Sequence, residues 1–302
     1  MSTAPAAGNG KVTVPDILAR KSHPANVTER DRVSLTARKI VSLTAYDTPT
    51  ARLVDDAGAD VILVGDSLAM VVLGYETTLP VTLDEMLHHA RAVRRGVKRA
   101  LLVADMPFGS YHADIAESLR HAVRFVKEAG AEAVKIEGGE RRMELITRLV
   151  EAEIPVMGHI GLTPQSFHAF GGFRVQGKTL EAAEQLFRDA RAVEAAGAFS
   201  IVLESMPREL AAQITRELRI PTIGIGAGPD CDGQILVLHD MIGLGGEHTP
   251  KFARRYVNVA ESISRAVGEY ARDVRDGNFP ADAESFHLSA EVRERLLTGR
   301  RT

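Results

Sequence analysis

The chain alternates between apolar, β-branched runs and amphipathic helical patterns, and this alternation constrains the fold more than any other feature. The apolar runs lie near residues 39–45, 60–66, 100–105, 133–137, 154–159, 199–204, 220–226 and 235–240. Helical patterns lie between most of them, at residues 49–57, 83–97, 114–129, 140–152, 180–196 and 207–218, with a last one at 250–276. Strands that alternate with helices predict a parallel sheet, and near-continuous apolar strands indicate that both faces of it are covered.

A closed (β/α)₈ barrel fits this pattern best, because eight strands are expected and such a barrel uses about 250 residues as one domain. We therefore predict a single TIM-barrel domain over residues 11–302, which opens with a short helix from Val14. The preceding residues 1–10 are small and polar, and we expect them to be disordered. The seventh connection, from Gly226 to Gln234, leaves room for a turn but not for a full helix. An open doubly wound sheet is the alternative, and the count of eight strands favours the barrel.

Composition and charge exclude several classes of protein. The chain has 302 residues, and its 37 basic and 40 acidic residues give a net charge of −3 without a basic block. Nothing therefore indicates a nucleic-acid partner or an anionic membrane surface. Cys231 is the single cysteine, which excludes an internal disulfide and is typical of a reducing compartment. No apolar run approaches the length of about 18 residues that a membrane span needs, and no secretory signal is visible, so we expect a cytoplasmic protein.

Polar residues stand at almost every predicted strand end, which in a (β/α)₈ barrel is where the active site lies. They are, in chain order, Asp47, Asp66 with Ser67, Asp105, Lys135 with Glu137, His159, Glu204 with Ser205, and His239 with Asp240. Asp is a good helix N-cap, and this simpler role suits Asp47, because a helix start follows it. It suits Asp66 and Asp105 less, because we expect no helix in the long loops 67–81 and 106–113 that follow them.

Three of these carboxylates form a candidate metal site. Asp66, Asp105 and Glu137 come from the ends of strands two, three and four, which are neighbours if the strand order is sequential. Converging carboxylates repel one another unless a cation lies among them, and oxygen ligands suit a hard ion such as Mg²⁺. Glu137 could reach that ion directly or through a water molecule. The adjacent pair His88-His89 lies on a predicted helix, where the two rings diverge, so we interpret it as a surface or packing pair.

Lys135 and Glu137 are two residues apart on one strand, so their side chains lie on the same face of the sheet. One interpretation is a buried ion pair, and the other is a site in which each side chain meets a ligand. Neighbouring carboxylates and a metal-bound anion would keep Lys135 protonated. We therefore favour the binding of an anion by Lys135 over a Schiff-base role.

His159 and Glu204 end the fifth and sixth strands. His159 could donate to a bound carboxylate or keto oxygen, or it could be a rim histidine whose hydrogen bonds are satisfied within the protein. Glu204 ends a fully apolar strand, where partial desolvation makes a carboxylate more basic, so it is our candidate general base. The alternative for Glu204 is an N-cap for the helix that follows Pro207.

The loop at 161–178 is long and Gly-rich and carries three Phe and two basic residues. Such a loop over the mouth of a barrel is typical of a mobile cover or of a wall for an aromatic ligand. It could equally be an oligomer contact, and the residues alone leave these three roles open.

Several short motifs connect this chain to a known family. They are Thr44-Ala45-Tyr46-Asp47, Val64-Gly65-Asp66-Ser67, Leu73-Gly74-Tyr75-Glu76-Thr77-Thr78, Val103-Ala104-Asp105-Met106-Pro107, Lys135-Ile136-Glu137-Gly138-Gly139, Gly158-His159-Ile160-Gly161-Leu162-Thr163-Pro164-Gln165 and Thr222-Ile223-Gly224-Ile225-Gly226-Ala227-Gly228. In their order and spacing they resemble the ketopantoate hydroxymethyltransferase (3-methyl-2-oxobutanoate hydroxymethyltransferase) family. The resemblance continues through His239-Asp240 to Asn278-Phe279-Pro280, so it covers nearly the whole chain after about residue 11.

The resemblance implies a (β/α)₈ barrel that moves a one-carbon unit from 5,10-methylenetetrahydrofolate onto 3-methyl-2-oxobutanoate. The product is 2-dehydropantoate, an intermediate of pantothenate and hence coenzyme A synthesis. The resemblance places Mg²⁺ at Asp66, Asp105 and Glu137, and the proton acceptor at Glu204. It places the contacts to the keto acid at Asp66, Ser67, Asp105, Lys135 and His159. By analogy alone it also implies a homo-oligomer, a decamer.

Two other classes of protein stay open at this point. One is another Mg²⁺-dependent barrel that acts on 2-oxo acids, similar to the isocitrate lyase and phosphoenolpyruvate mutase group. That group's Lys-Lys-Cys-Gly-His type of loop has no counterpart here, because the single cysteine is Cys231 in the seventh connection. The other is a non-catalytic barrel that serves as a binding or scaffold subunit, although such a barrel has no need of the carboxylates at its strand ends.

Overall fold

The computed structural model describes residues 10–21, 39–245 and 250–299. Within these residues eight parallel strands close into a barrel in sequence order, with the eighth beside the first. They are β1 (Ile40–Thr44), β2 (Val61–Val64), β3 (Leu101–Asp105), β4 (Ala133–Glu137), β5 (Val156–Gly161), β6 (Ser200–Glu204), β7 (Thr222–Ile225) and β8 (Gly233–Leu236). The predicted (β/α)₈ barrel is confirmed.

Helices follow most of the strands and cover the outside of the barrel. They are α1 (Val14–Leu18), α2 (Thr48–Asp56), α3 (Leu68–Val71), α4 (Leu83–Gly96), α5 (Ile115–Ala129), α6 (Met143–Glu151), α7 (Phe167–Phe170), α8 (Leu180–Ala195), α9 (Arg208–Glu217) and α10 (Leu238–Ile242). The short N-terminal helix α1 is confirmed, and so are the helices predicted from 49–57 to 207–218. The segment 1–10 predicted to be disordered lies, apart from Gly10, outside the described residues.

The expectation that loop 67–81 contains no helix is wrong. Helix α3 begins at Leu68, directly after Ser67, and its first two residues, Leu68 and Ala69, are buried. A helix of four residues is about one turn long, too short to show the 3.6-residue periodicity by which helices are recognised in a sequence. Tertiary burial therefore stabilises this turn, which the sequence pattern does not predict.

The eighth strand lies earlier than the predicted range 235–240. It begins at Gly233, which pairs with Ile40 of β1. The two backbones lie so close that a Cβ atom on residue 233 would be 2.6 Å from the Ile40 carbonyl oxygen, which leaves no room for a side chain. The chain then turns into α10, which carries His239 and Asp240. Residues 226–232, all of which the structure describes, connect β7 to β8 without a helix, as the short seventh connection predicts.

Two apolar layers hold the barrel together, and the strand alternation separates them. Residues such as Leu102 and Ala104 of β3 point outward and belong to the large core between strands and helices. Their neighbours Leu101 and Val103 belong to the smaller core inside the barrel. The next inward position of β3 is Asp105, so the interior changes from apolar to charged towards the carboxyl ends of the strands.

Helix α1 packs onto the amino-terminal side of this inner core. Thr13 caps the helix in a reciprocal capping box with Asp16, whose carboxylate accepts the Thr13 backbone N–H at 2.9 Å. Ile17 is fully buried and packs in the same cluster as Ile40 and Leu101. The apolar end of the barrel interior is therefore covered, and the charged end is the one available for a site.

Residues 256–299 form a second compact unit, distinct from the unit that ends at Arg255. It contains α11 (Val259–Asp276) and α12 (Ala290–Thr298). The helix predicted from residue 250 begins only at Val259, because the side chain of Asn258 caps it at the Glu261 backbone N–H. The single domain predicted over 11–302 stays a prediction.

None of the helices in the described residues carries an apolar stretch long enough to cross a membrane.

Asp55 ties α2 to the start of β3 and generates a stability prediction. Its buried carboxylate accepts the backbone N–H groups of Lys98, Arg99 and Ala100, at 2.8, 2.9 and 2.6 Å. Burial alone raises the pKa of Asp55, but these three N–H groups and the Arg99 charge outweigh it and leave the pKa below its usual range.

We expect Asp55→Asn to lower the free energy of unfolding by about 1–3 kcal/mol at pH 7, because all three N–H groups lose an ionised acceptor and those that face the amide NH₂ lose their acceptor altogether. The folded-state pKa lies below the unfolded value of about 4, so the loss is fully present above pH 4 and disappears as the pH falls through the folded-state pKa. Urea unfolding at pH 7 and at acid pH measures it. The exposed neighbour gives the control variant Asp56→Asn, and equal effects of the two substitutions would contradict this account.

Candidate active site

The charged residues predicted at the strand ends come together at the carboxyl end of the barrel. Parallel register pairs Asp105 with Lys135, Glu137 with His159, and Gly161 with Glu204. Because each of these residues occupies an inward position of its strand, the side chains meet inside the barrel mouth. Asp66 follows β2 and completes the group. All of them are at most 4% exposed except Glu204, which is partly exposed.

Asp66, Asp105 and Glu137 form a buried acidic cluster. One carboxylate oxygen of each lies within 4.8 Å of the corresponding oxygens of the other two. Burial raises the pKa of Asp66 well above its usual range, and repulsion from Asp105 and Glu137 raises it further. Burial also raises the pKa of Asp105, although Lys135 opposes this effect. The protein alone thus leaves the charge of Asp66 inadequately balanced.

The acidic cluster fits a divalent cation. Its donor set consists of carboxylate oxygens, which suit a hard ion. The Oε1 atom of Glu137 is buried and has no hydrogen-bond partner of good geometry among the described residues. A cation placed among the three carboxylates would relieve the repulsion that raises the pKa of Asp66, and it would give this Glu137 oxygen a ligand contact in place of a well-formed hydrogen bond.

Lys135 is an integral part of this cluster. Its Nζ atom donates to both oxygens of Asp105, at 2.7 and 2.6 Å, and lies 3.6 Å from Oε1 of Glu137. Burial lowers the pKa of Lys135, but the charges of Asp105, Glu137 and Asp66 outweigh burial and raise it above its usual value. The lysine is therefore a fixed ammonium, and its nearest partner is Asp105 rather than the Glu137 that shares its strand.

His159 lies between two carboxylates rather than at an open rim. Its Nδ1 atom is 3.3 Å from Oε1 of Glu137, and its Nε2 atom is 3.2 Å from Oε2 of Glu204. Neither contact has the angles of a good hydrogen bond to a described residue, so both are ion pairs by distance. Burial and the Lys135 charge lower the pKa of His159, but the two carboxylates more than offset this and raise it to about 9. His159 thus joins the acidic cluster to Glu204.

The N-cap role fits Asp47 but not Glu204. Asp47 is the N-cap of α2 and accepts the Thr50 backbone N–H at 2.8 Å. Glu204 does not cap α9, whose N-cap position is Pro207. The Glu204 carboxylate points instead towards His159.

Ser67 and the two neighbouring histidines of α4 also have defined surroundings. The Ser67 hydroxyl lies 2.8 Å from the Tyr46 hydroxyl, next to the carboxyl end of β2. His88 is exposed, while Nδ1 of His89 lies 2.7 Å from the Tyr46 carbonyl oxygen. The interpretation of His88-His89 as surface or packing residues is confirmed, but the expected divergence of the two rings is wrong, because their centroids lie 5.5 Å apart in an edge-to-face arrangement.

Gln165 and Tyr111 also contact the acidic cluster, although neither is among the predicted site residues. Gln165 follows β5 in a 3₁₀ turn (Pro164–Ser166), and Tyr111 belongs to the loop after β3. Nε2 of Gln165 donates to Asp66, and the Tyr111 hydroxyl donates to Oε1 of Gln165. Neither residue stands at a strand end, which is the signal that found the others. The roles considered for loop 161–178 stay open.

Comparison with known proteins identifies the family. Residues 26–282 match the family described as ketopantoate hydroxymethyltransferase. The chain belongs to this family. A relative from Koribacter versatilis (strain Ellin345), named 3-methyl-2-oxobutanoate hydroxymethyltransferase, is 62% identical over 85% of this chain and 87% of its own length. A relative of the same name from Pelobacter propionicus is 54% identical over 92% of this chain and 98% of its own length.

The protein is an enzyme of the transferase class, and the non-catalytic interpretation is wrong.

Similar solved structures place the barrel among known folds. Phosphoenolpyruvate phosphomutase from Streptomyces platensis subsp. rosaceus has a TM-score of 0.57 at 15% identity, with 95% of both chains covered. Phosphonopyruvate hydrolase, solved with oxalate and Mg⁺⁺, has a TM-score of 0.56 at 17% identity and covers 95% of this chain and 98% of its own. At such identities the likeness shows the fold alone, so it gives the isocitrate lyase and phosphoenolpyruvate mutase alternative no support beyond the shared barrel.

The repulsion within the acidic cluster predicts that removing one charge stabilises the metal-free protein. We expect Asp66→Asn to raise the melting temperature at pH 7 in EDTA by about 2–4 °C, the shift that about 1 kcal/mol produces in a chain of this size. The amide keeps the shape of the carboxylate and can still accept from Gln165. Because the folded-state pKa of Asp66 lies above its unfolded value of about 4, the gain grows as the pH rises above 4.

Differential scanning calorimetry measures this shift, and Asp55→Asn is the matched control. It also removes the charge of a buried aspartate, but one surrounded by backbone N–H donors instead of other acids. We expect Asp55→Asn to lower the melting temperature. If Asp66→Asn lowers it as well, repulsion among the three acids is not the dominant interaction of the cluster.

Proposed function

We propose that this enzyme transfers a hydroxymethyl group from 5,10-methylenetetrahydrofolate to 3-methyl-2-oxobutanoate, giving 2-dehydropantoate for pantothenate synthesis. The names of its relatives support the activity. One structural observation supports it most: a buried acidic cluster (Asp66, Asp105 and Glu137) that His159 links to Glu204. Enolate chemistry on a 2-oxo acid needs such a pairing, because positive charge must stabilise the enolate while a base removes the proton.

We propose that Asp66, Asp105 and Glu137 hold Mg²⁺. When bound, this ion supplies the positive charge that polarises the keto group of the substrate and stabilises its enolate. The protein prepares the site by burying the three acids side by side. It limits their repulsion with a single fixed ammonium, that of Lys135.

The residues around this cluster bind the keto acid in our proposal. Lys135 is held protonated and supplies a positive charge beside the anionic substrate. Ser67 is half-buried, and its hydroxyl is oriented by Tyr46, so it can donate to a carboxylate or keto oxygen. The full set of substrate contacts that we propose is Asp66, Ser67, Asp105, Lys135 and His159.

Glu204 is the proposed proton acceptor. It is the most exposed acid of the group, with a side chain 15% exposed, so it can reach a substrate in the barrel mouth. Glu204 removes the proton from C3 of the keto acid, and His159 holds the Glu204 carboxylate from the opposite side. Water first cleaves both carbon–nitrogen bonds of the methylene group, so that its oxygen stays on the carbon and its two hydrogens go to the tetrahydrofolate nitrogens. The electron pair left on C3 then forms the carbon–carbon bond to this carbon, and the proton taken by Glu204 passes to the new hydroxyl oxygen. Over the whole reaction, water provides the hydroxyl oxygen and tetrahydrofolate leaves.

The cytoplasmic location and the homo-oligomer, a decamer by analogy, stay predictions.

We expect Glu204→Gln to abolish exchange of the C3 proton of 3-methyl-2-oxobutanoate with solvent. The experiment uses D₂O, added Mg²⁺ and no folate, and it follows the C3 proton by NMR. Removal of a general base typically costs about 10²–10⁴-fold in rate, while the amide keeps the size of the carboxylate and leaves substrate affinity nearly unchanged. The control is Glu209→Gln, an exposed residue of α9. Exchange at the parent rate in Glu204→Gln would show that another group removes the proton.

A further inference from the structure

One buried amide organises two of the three acids in the cluster. Gln165 is 6% exposed, and its Nε2 atom donates to Oδ2 of Asp66 at 2.9 Å. Its backbone N–H donates to Oε2 of Glu137 at 3.0 Å. A single residue from the loop after β5 thus holds carboxylates that belong to β2 and β4.

The orientation of the Gln165 amide is set by its other partners. Nε2 also lies 3.0 Å from the carbonyl oxygen of Met106, which can only accept a hydrogen bond. Oε1 lies 2.7 Å from the Tyr111 hydroxyl. A flipped amide would turn an oxygen towards the Met106 carbonyl, so the NH₂ group must face Met106 and Asp66.

Tyr111 completes this network from the loop after β3. The hydroxyl of this buried tyrosine accepts the Glu137 backbone N–H at 3.3 Å, which leaves its own proton free for Oε1 of Gln165. The Arg142 guanidinium lies 5.1 Å from the centre of the tyrosine ring and stabilises its position by a cation–π contact. Tyr111 and Gln165 therefore form a pair with a defined hydrogen-bond direction.

We propose that Gln165 is a positioning residue for the divalent cation, and that Tyr111 fixes the direction of its amide. Gln165 uses Oδ2 of Asp66 and Oε2 of Glu137, which leaves the second oxygen of each carboxylate for the ion. For Glu137 that second oxygen is Oε1, which lies 3.3 Å from Nδ1 of His159 and 3.6 Å from Nζ of Lys135 but has no well-formed hydrogen bond to a described residue. The inference rests on the metal site of the proposed function.

A neutral donor suits this task better than a charged one. Lys135 already supplies one positive charge to the cluster, and a second fixed cation beside Asp66 would compete with a divalent ion for the carboxylate. The amide of Gln165 restricts the rotation of the Asp66 carboxylate without neutralising it. Partners of this kind, behind the ligands of a metal, typically contribute about 10–100-fold in metal affinity.

The test measures Mn²⁺ binding to the intact protein without substrate, from the electron paramagnetic resonance signal of free Mn²⁺. We expect Gln165→Met, which keeps the length of the side chain and removes the amide, to weaken Mn²⁺ affinity by about 10–100-fold. We expect Tyr111→Phe to weaken Mn²⁺ affinity by a smaller factor. This substitution keeps the Gln165 amide and removes only the hydroxyl that fixes the orientation of the amide. Gln213→Met, on the exposed side of α9, is the control and should match the parent.

A second readout separates positioning from general damage to the fold. At saturating Mg²⁺ the C3 exchange rate of Gln165→Met should return to within about threefold of the parent rate, while the Mg²⁺ concentration for half-maximal exchange rises with the lost affinity. Parent-like Mn²⁺ affinity in Gln165→Met would overturn the positioning role. If that variant does not fold, Tyr111→Phe decides alone, and parent-like affinity in it overturns the proposal.

The failure of the metal site itself has a different signature. If the parent and Asp66→Asn bind Mn²⁺ equally well, or if the parent binds none, the proposed metal site is wrong whatever Gln165 does. If the parent binds, Asp66→Asn does not, and Gln165→Met binds like the parent, only the positioning role is wrong.

Discussion

The burial of several like charges in one place is the constraint on which the rest of the site depends. Asp66, Asp105, Glu137 and Glu204 lie together at the barrel mouth, and Lys135 and His159 are the cations among them. With both of these protonated and all four acids ionised, the net charge of the group is −2, which is the charge that one divalent cation balances. Buried charges are tolerated only when they are paired. The group is therefore stable when a cation is bound, and its excess negative charge destabilises the protein when none is bound.

The barrel makes this concentration of charge possible because its strands alternate with a period of two. Leu101 and Val103 fill the inner core below Asp105, and outward residues of the same strand pack against helices. Every charged residue of the site therefore rests on an apolar layer closed at its far end by α1. The acids thus lie on or directly after the strands, and the loops that follow the strands supply the walls of the site.

Strand alternation and the position of active sites in barrels suffice to predict the fold and the convergence of Asp66, Asp105 and Glu137. The surroundings of His159 could not be predicted, because they depend on the register of β5 against both β4 and β6. The contacts of Gln165 and Tyr111 with the acidic cluster could not be predicted for a related reason. Both residues lie in loops, where no periodicity indicates which side chains point inward. Helix α3 could not be predicted because a single turn has no periodicity and depends on tertiary burial. The early start of β8 could not be predicted because it depends on the close packing of Gly233 against Ile40.

Anomalous diffraction from crystals of this protein grown with Mn²⁺ tests the central claim most directly. We expect a single strong anomalous peak at the carboxyl end of the barrel, about 2.0–2.6 Å from carboxylate oxygens of Asp66 and Asp105. Glu137 should lie beside it, directly or across one water. A Mn²⁺ peak elsewhere with none at this cluster would contradict the account and return the three acids to a purely structural role.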